Sequence, residues 1–333
     1  MSSLKEQEEL IILSDDKTND SFGYYPDKRP LRTYLEYGFI EVDKPRGPSS
    51  HEVVAWVRKM LQMEKAGHSG TLDPGVSGLL PIALGNATKA LGLLLLGSKE
   101  YVSVVRIHND VPQEKLEKVL QEFLGQIYQR PPQKSSVKRV VRPRTIYKIE
   151  LMEKVGRLLI IKVNCEAGTY IRKLVYDIGE VLGVGATMIE LRRTRVFNLD
   201  ESTRFISLHE ISAAIHKLNE ENDEILLRSV IQPIENILSP FKKIIIRDSA
   251  VDAVCHGALL AIPGITQLSS NISKDDLVII LSLKGELVAF GKATLNAEEI
   301  EEKSKGISAK IERVIMVPGT YPKMWKSSKV QSS

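Results

Sequence analysis

The residue whose type and setting could do chemistry is a lone carboxylate, Asp73, in the run HSGTLDPGVSG (residues 68–78) directly ahead of the apolar LLPIAL. Three glycines and a proline, with neither a helical nor a strand period, make that run a loop. A carboxylate held there can act as a nucleophile or as a base. An aspartate before Pro74 is also one of the commonest turn residues, and local sequence alone favours that plainer reading. Other chemistries lack their signatures: the chain has no P-loop, no GxGxxG after a strand, no HExxH and no GxSxG. The six histidines, His51, His68, His108, His209, His216 and His256, are scattered without metal-ligand spacing. Cys165 and Cys255 form no CxxC. Neither a metal nor a disulfide framework is expected.

The elements that must position Asp73 are legible in outline. Gly38 to Val42 alternates as a short strand, residues 43–48 turn, and Ser49-x-x-Glu52 is a capping box opening a helix with Val53, Val57, Met60 and Leu61 on one face, closed by Gly67. After the loop come the LLPIAL strand, a helix over 87–96 with Asn86 as N-cap, a strand over 99–107 and a helix over 112–123 ending at Gly125. Two long strands, 145–155 and 157–165, are parted by Gly156. Ile171, Leu174, Val175, Ile178 and Leu182 then mark an amphipathic helix that Gly183 ends, and a strand over 187–197 carries Arg192, Arg193 and Arg195. This hairpin-like mixture predicts an α+β fold with a mixed, largely antiparallel sheet rather than a doubly wound parallel one. Helical stretches over 207–219 and 224–238 lead to a domain boundary at 239–240. A short helix over 249–255 and strands over 277–283, 287–293 and 310–317 beyond it suggest a small β-barrel.

The length, 333 residues, suits about two domains at roughly 150 residues each. With 43% hydrophobic residues and a net charge of +4 the composition excludes collagen-like, disulfide-rich and largely disordered classes. The longest apolar run, residues 90–96, is far short of a membrane span, and the polar N-terminus resembles no signal peptide, so a cytoplasmic protein without membrane contact is expected. The charge is unevenly placed: residues 130–144 (RPPQKSSVKRVVRPR) carry six basic side chains and no acid. Such a run is a solvated strand edge or a phosphate-contacting surface.

Taken together, the motifs resemble a known family. GHSGTLDPGVSGLLPIALGNATKA (residues 67–90), with DKPRGPSSHEVVAWVRK before it, SKEYVSVVRIHND after it and AGTYIRKLVYDIGEVLGVGATMIELRRTR further on, is similar to the TruB class of pseudouridine synthases. In that class GTLDP presents the catalytic aspartate. The YYPDKRP segment, the wording SHEVVAW and a C-terminal stretch with HGALLAIPGI and GELVAFGKA resemble the archaeal and eukaryotic dyskerin-like H/ACA enzymes more closely, whose C-terminal module is a PUA domain. The resemblance implies an arm over 1–35 packing on the PUA module, a catalytic domain over 36–239, a PUA β-barrel over 240–322 and a tail over 323–333.

It also implies the reaction, the isomerisation of uridine to pseudouridine in RNA. Breaking the uracil–ribose bond and reattaching the base needs a carboxylate at the junction and a pocket that retains the base, but no external donor, so no cofactor is expected. By resemblance Asp73, Arg172 and Tyr101 are the catalytic group. A buried Asp73 would be held ionised by Arg172, and Tyr101 would stack on the target base and help remove its C5 proton. Tyr170, His68, Leu191 and Lys44 are expected around the substrate, with His68 filling the space an everted uridine leaves. Lys134, Lys138, Arg139, Arg142, Arg144, Arg192 and Arg193 are expected to hold RNA backbone, and His256, Gly257, Pro263 and Gly264 to contact RNA from the PUA module. Implied partners are an H/ACA guide RNA, rRNA and tRNA, the small Nop and Gar proteins, and a kink-turn-binding ribosomal-type protein joined through the guide. Two alternatives stand beside this guide-directed enzyme: a stand-alone tRNA synthase and a non-catalytic RNA-binding scaffold.

Overall fold

The computed structural model describes residues 9–130, 140–200, 202 and 204–324. The chain divides into two compact units, one of Ile40–Ala83 and Leu91–Ile231, the other of Met1–Phe39, Leu84–Ala90 and Gln232–Ser333. The short segments 36–39, 84–90 and 232–239, placed with the catalytic domain from sequence, thus pack into the second unit.

The N-terminal segment holds β1 (Leu10–Ile12), a 3-10 turn (Pro26–Lys28) and α1 (Leu31–Glu36). The sequence over residues 1–35 shows little periodicity, yet a short helix begins within it. The six-residue α1 escapes periodicity because it buries one side chain, Tyr34, and Pro30 occupies its N-cap without a capping side chain.

In chain order there follow β2 (Gly38–Lys44), α2 (Ser50–Met60), β3 (Ala66–His68), β4 (Ser77–Leu84), α3 (Leu91–Leu96), β5 (Lys99–Ile107), α4 (Gln113–Glu122), β6 (Gly125–Gln129), β7 (Arg142–Val155), β8 (Leu158–Cys165), α5 (Ile171–Leu182), β9 (Ala186–Val196), α6 (Leu208–Glu221) and α7 (Ile225–Val230). The sheet of this unit runs β2-β4-β9-β5-β8-β7-β6, with β3 attached to β4. Strand β5 is antiparallel to β8 and β9, and β7 to β6 and β8, whereas β4 and β9 run parallel. The α+β sheet expected from sequence is therefore present. The capping box at Ser49 and Glu52 forms, and Gly183 ends α5 in the left-handed region at φ 75°. Gly67 does not close α2: the helix stops at Met60, Gln62 turns the chain at φ 52°, and Gly67 lies inside β3. The helix expected over 87–96 splits into a 3-10 turn, Gly85–Ala90, and α3. Gly125 opens β6 rather than capping α4.

The second unit continues with β10 (Gln232–Pro233), β11 (Lys242–Ile246), α8 (Asp248–Cys255), β12 (Leu260–Ala261), β13 (Ile265–Ser269), β14 (Leu277–Ser282), β15 (Leu287–Ala293), α9 (Ala297–Glu302) and β16 (Ile307–Val314). Seven strands, ordered β1-β13-β11-β14-β15-β16-β12, curl around a core that includes Ile244, Ile246, Val254, Leu268, Ile280, Val288 and Tyr321. Residues Leu10 to Ile12 pair antiparallel with Gln267 to Ser269, so the N-terminal segment extends this sheet. No helix among the described residues is long and apolar enough to cross a membrane.

One ion pair in this unit is nearly dry. The Arg29 guanidinium donates to both Glu235 oxygens at 2.9 and 2.7 Å, with side-chain exposures of 3% and 10%, and lies 4.8 Å from the Tyr37 ring centre. Removing one partner would strand the other in a dry site. Glu235→Ala is expected to lower stability by about 3–5 kcal/mol, read from denaturant unfolding, whereas Arg29→Met with Glu235→Met is expected to lose less.

Candidate active site

Asp73 lies on a loop, residues 69–76, that is held from below by buried polar side chains. The Ser50 hydroxyl, fully buried at the first turn of α2, donates to the Leu72 carbonyl at 3.0 Å and accepts from the Leu72 N–H at 2.8 Å. The Lys44 ammonium, at the end of β2, donates to the carbonyls of Pro45, Pro74 and Val76 at 2.9, 3.4 and 2.7 Å. The Gly47 N–H donates to the Pro74 carbonyl at 2.8 Å, and a turn bond joins the Val76 N–H to the Asp73 carbonyl at 3.0 Å. Leu72 and Val76 are each 3% exposed. With both flanking side chains pulled inward, the three residues between them, Asp73, Pro74 and Gly75, face solvent.

A third buried group ties the two ends of the loop. Arg193, 2% exposed, donates from Nε to the Leu79 carbonyl at 2.8 Å and from a terminal nitrogen to the Gly70 carbonyl at 3.2 Å. In the β5–β9 register it stands opposite Tyr101, close enough for its guanidinium to act on the hydroxyl. Burial pushes the Tyr101 hydroxyl above its ordinary pKa of 10.0, and the guanidinium beside it opposes that shift. Tyr101 is therefore a neutral phenol at pH about 7. Gly78 lies where β4 meets Arg193. At φ 103° a Cβ there would come within 2.2 Å of the Arg193 carbonyl oxygen, so only glycine fits.

Arg172 reaches Asp73 from α5, Nη2 to Oδ2 at 3.0 Å, with side-chain exposures of 65% and 59%. The expectation of a buried Asp73 is corrected here: the pair is open to water. An exposed ion pair contributes only about 0–1 kcal/mol, so its arrangement serves geometry more than stability. Arg172 is itself placed by Gln129, 2% exposed, whose amide accepts from the Tyr170 N–H at 2.9 Å and donates to the Tyr170 carbonyl at 3.1 Å. That double bond substitutes for the side-chain cap that α5 lacks.

The remaining expected residues are dispersed. His68, on β3, packs edge-on against His51 with ring centres 5.2 Å apart, and burial together with His51 pushes its pKa below 6.5, leaving it neutral. Leu191 is 9% exposed on β9, on the same side as Arg193 by strand alternation. Lys44 proves to be a support beneath the loop, buried rather than open to a ligand. Arg193 is a correction: strand alternation turns it into the interior, where its guanidinium is committed to backbone carbonyls and cannot meet a phosphate. Its neighbour Arg192 points to the other side and pairs with both Asp43 oxygens at 2.8 and 3.0 Å. Arg142 is exposed at the start of β7, while Arg144 bonds Glu166 at 3.3 Å. Lys134, Lys138 and Arg139 lie outside the described residues. In the second unit, His256 and Gly257 are exposed at the end of α8 and Pro263 is exposed in a 3-10 turn with Gly264, whose carbonyl accepts from the Arg247 N–H at 3.0 Å.

Ser50 and Gln129 were not anticipated. A signal for Ser50 existed: Ser49 already satisfies the capping box, so a second adjacent serine is free for another task. Gln129 carries no comparable signal, because its partner is backbone 41 residues away.

The arrangement presents a carboxylate on a rigid crest, one hydrogen bond from a guanidinium, with a phenol anchored to the strands beneath. It can deliver a nucleophile or base to a group brought from solvent. Comparison with known proteins finds relatives along nearly the whole chain. Residues 58–171 match the TruB family pseudouridylate synthase N-terminal domain, 172–239 the tRNA pseudouridylate synthase B C-terminal domain, 242–315 the PUA domain and 1–54 the DKCLD (NUC011) domain. The chain is 50% identical over 321 residues, 96% of its length and 98% of the relative's, to a protein of Archaeoglobus fulgidus described as "Probable tRNA pseudouridine synthase B". A relative of the same description from Pyrococcus abyssi is 50% identical over 317 residues, 95% of each chain. Among solved structures, a chain of the H/ACA RNP bound to a substrate RNA containing 2'-deoxyuridine superposes with TM-score 0.88 at 46% identity, covering 96% of this chain and 98% of that one. A chain of a Cbf5-Nop10-Gar1 complex gives 0.87 at 48%, covering 96% and 97%.

Ser50→Ala leaves the Leu72 N–H and carbonyl unpaired in a dry site. It is expected to lower stability by about 1–3 kcal/mol, measured by denaturant unfolding, and to slow the reaction at Asp73 without weakening ligand binding.

Proposed function

This chain belongs to the TruB family of pseudouridine synthases and is an RNA-modifying isomerase of that family, and we propose that it works as the catalytic subunit of a guide-RNA-directed H/ACA particle modifying rRNA. The observation that carries the proposal is the Asp73–Arg172 pair at 3.0 Å, on a loop immobilised from both sides, in a chain alike along nearly its whole length to subunits of such particles.

The chemistry follows from what each side chain can do. A uridine must leave its stack to reach Asp73, at a cost of a few kcal/mol. Once seated, it covers the Asp73–Arg172 pair and excludes water, which strengthens the guanidinium's hold on the carboxylate. Asp73 then acts as nucleophile or base at the sugar–base junction, Arg172 keeps it charged and aimed, and the detached uracil turns in place so that C5 replaces N1 at the ribose. Tyr101 stacks on the base and assists departure of the C5 proton, with its oxygen steadied by Arg193. Tyr170 and Leu191 line the place of the flipped nucleotide, and His68 fills the space that nucleotide leaves in its stack. The reaction moves no electrons and no phosphoryl group to an outside acceptor, so the residues present are sufficient without a cofactor.

Recognition is divided. We assign residues 36–239 to catalysis and residues 240–322 to a PUA module, with His256, Gly257, Pro263 and Gly264 meeting the guide RNA by shape and exposed bases. The arm, assigned to residues 1–35, adds β1 to that module's sheet. Arg142 and the basic run before it, with Arg192, contact backbone phosphates, and the guide supplies sequence choice by pairing. Nop10 and Gar1, partners of the similar solved chains, are the protein partners we assign, with a kink-turn-binding protein joining through the guide. We place the enzyme in the cytoplasm with its rRNA and tRNA substrates. The naming of the curated relatives as tRNA synthases favours a second, guide-free activity on the T-loop uridine.

Pseudouridine formation on rRNA and tRNA fragments, measured with and without a matching guide and the partner proteins, tests this. The assembled particle is expected to modify the guided uridine, and Asp73→Asn to reduce the rate by on the order of 10³-fold or more with RNA affinity retained. Conversion at the normal rate by Asp73→Asn would leave only an RNA-binding scaffold, and equal activity without guide and partners would leave a stand-alone tRNA enzyme. Guide binding is further expected to fall steeply with salt, log affinity declining linearly with log salt concentration as phosphate contacts release counterions.

A further inference from the structure

Lys99 is a buried cation that the chemistry above does not use. It is 4% exposed, and its ammonium donates to the carbonyls of Leu94, Leu95 and Gly97 at 3.1, 3.2 and 2.7 Å. Those oxygens belong to the end of α3 and the turn after it, where helix carbonyls have no partner of their own. The turn has no room to relax: a Cβ on Gly97 would come within 2.3 Å of the Phe197 ring. Lys99 opens β5, two residues before Tyr101 on the same side of the strand. At the other end, Leu95 of α3 borders the Asp73 loop, 3.8 Å from where a Cβ on Gly70 would stand.

We infer that Lys99 is a positioning residue of the reaction, its ammonium locking the end of α3 to the strand that carries Tyr101 so that Tyr101 and the Asp73 loop keep one relative placement. This deepens the proposed function and rests on it.

The lock is titratable. Burial, with the Arg193 guanidinium, lowers the ammonium from its ordinary 10.5 to about 8. Facing it are Cys165 across β8 and Arg193 on β9; α3 contributes no titratable side chain. Cys165 is pushed up to about 12, so it stays a thiol through this range. A neutral amine has two N–H groups for three carbonyls, so one bond is lost as pH rises through about 8. Stability moves the other way. Between about 8 and 10.5 the folded state binds fewer protons at Lys99 than the unfolded chain, so this group's contribution to stability rises across that window. An activity loss there is not unfolding through Lys99.

The test is single-turnover pseudouridine formation by the assembled particle from about pH 6 to about pH 10, comparing the unchanged chain with Lys99→Arg and Lys99→Met. The unchanged chain is expected to lose rate with a midpoint near pH 8, while Lys99→Arg, charged throughout, keeps its rate. Ionisation of the uracil or of Lys44 affects both proteins alike and cancels in their ratio. Lys99→Met is expected to be slower by about tenfold or more at neutral pH with RNA binding unchanged. Superimposable pH profiles for the unchanged chain and Lys99→Arg, or an undiminished rate in Lys99→Met, would overturn the inference. Amide hydrogen exchange along β5 and the end of α3 gives a readout that needs no activity: protection at neutral pH is lower in Lys99→Met than in the unchanged chain. Absence of any product would sink the functional reading, whereas equal exchange in both proteins would sink only the role of Lys99.

Discussion

Three buried polar side chains holding one stretch of backbone are the constraint on which the rest of this enzyme depends. Ser50 grips Leu72, Lys44 grips Pro74 and Val76, and Arg193 grips Gly70 and Leu79. The two bonds to Leu72 satisfy a buried peptide group that would otherwise be unpaired, at a penalty of about 1–3 kcal/mol. The loop therefore has few alternatives to its one conformation, and Asp73 is carried outward by the burial of Leu72 and Val76 on either side.

The weakness of the exposed pair is part of the same design. Arg172 and Asp73 are both more than half exposed, so water screens their attraction. Their meeting point is prepared by rigid backbone: the clamped loop on one side and, on the other, α5, whose start is fastened through the two amide bonds of Gln129. Catalysis by a solitary carboxylate demands such preparation, since effective concentration falls quickly with misplacement. The unit that matches the PUA domain has a hydrophobic core of its own.

Much of this was legible before coordinates. The capping box at Ser49, the amphipathic α5 with its closing glycine, and the strands expected over 99–107 and 157–165 follow from local periodicity, which burial on one face imposes. What stayed hidden was non-local. Asp73 resembles an ordinary turn residue because its distinction lies in Arg172, 99 positions away. Arg192 and Arg193 look alike in sequence, yet strand alternation sends one to Asp43 and the other into the interior. The six-residue α1 and the two-residue β10 and β12 are too short to show a period, so they escaped.

The central claim is that position, set by the clamped loop, decides the chemistry, and Asp73→Glu tests it most directly. The longer side chain preserves the charge and can still pair with Arg172, but carries the carboxylate about 1 Å from its place, a displacement that can cost about 10²-fold in rate. The account predicts a single-turnover rate for Asp73→Glu reduced by about that factor or more, with RNA affinity unchanged. A rate close to that of the unchanged chain would contradict it, because a carboxylate of the right charge would then suffice wherever the loop put it.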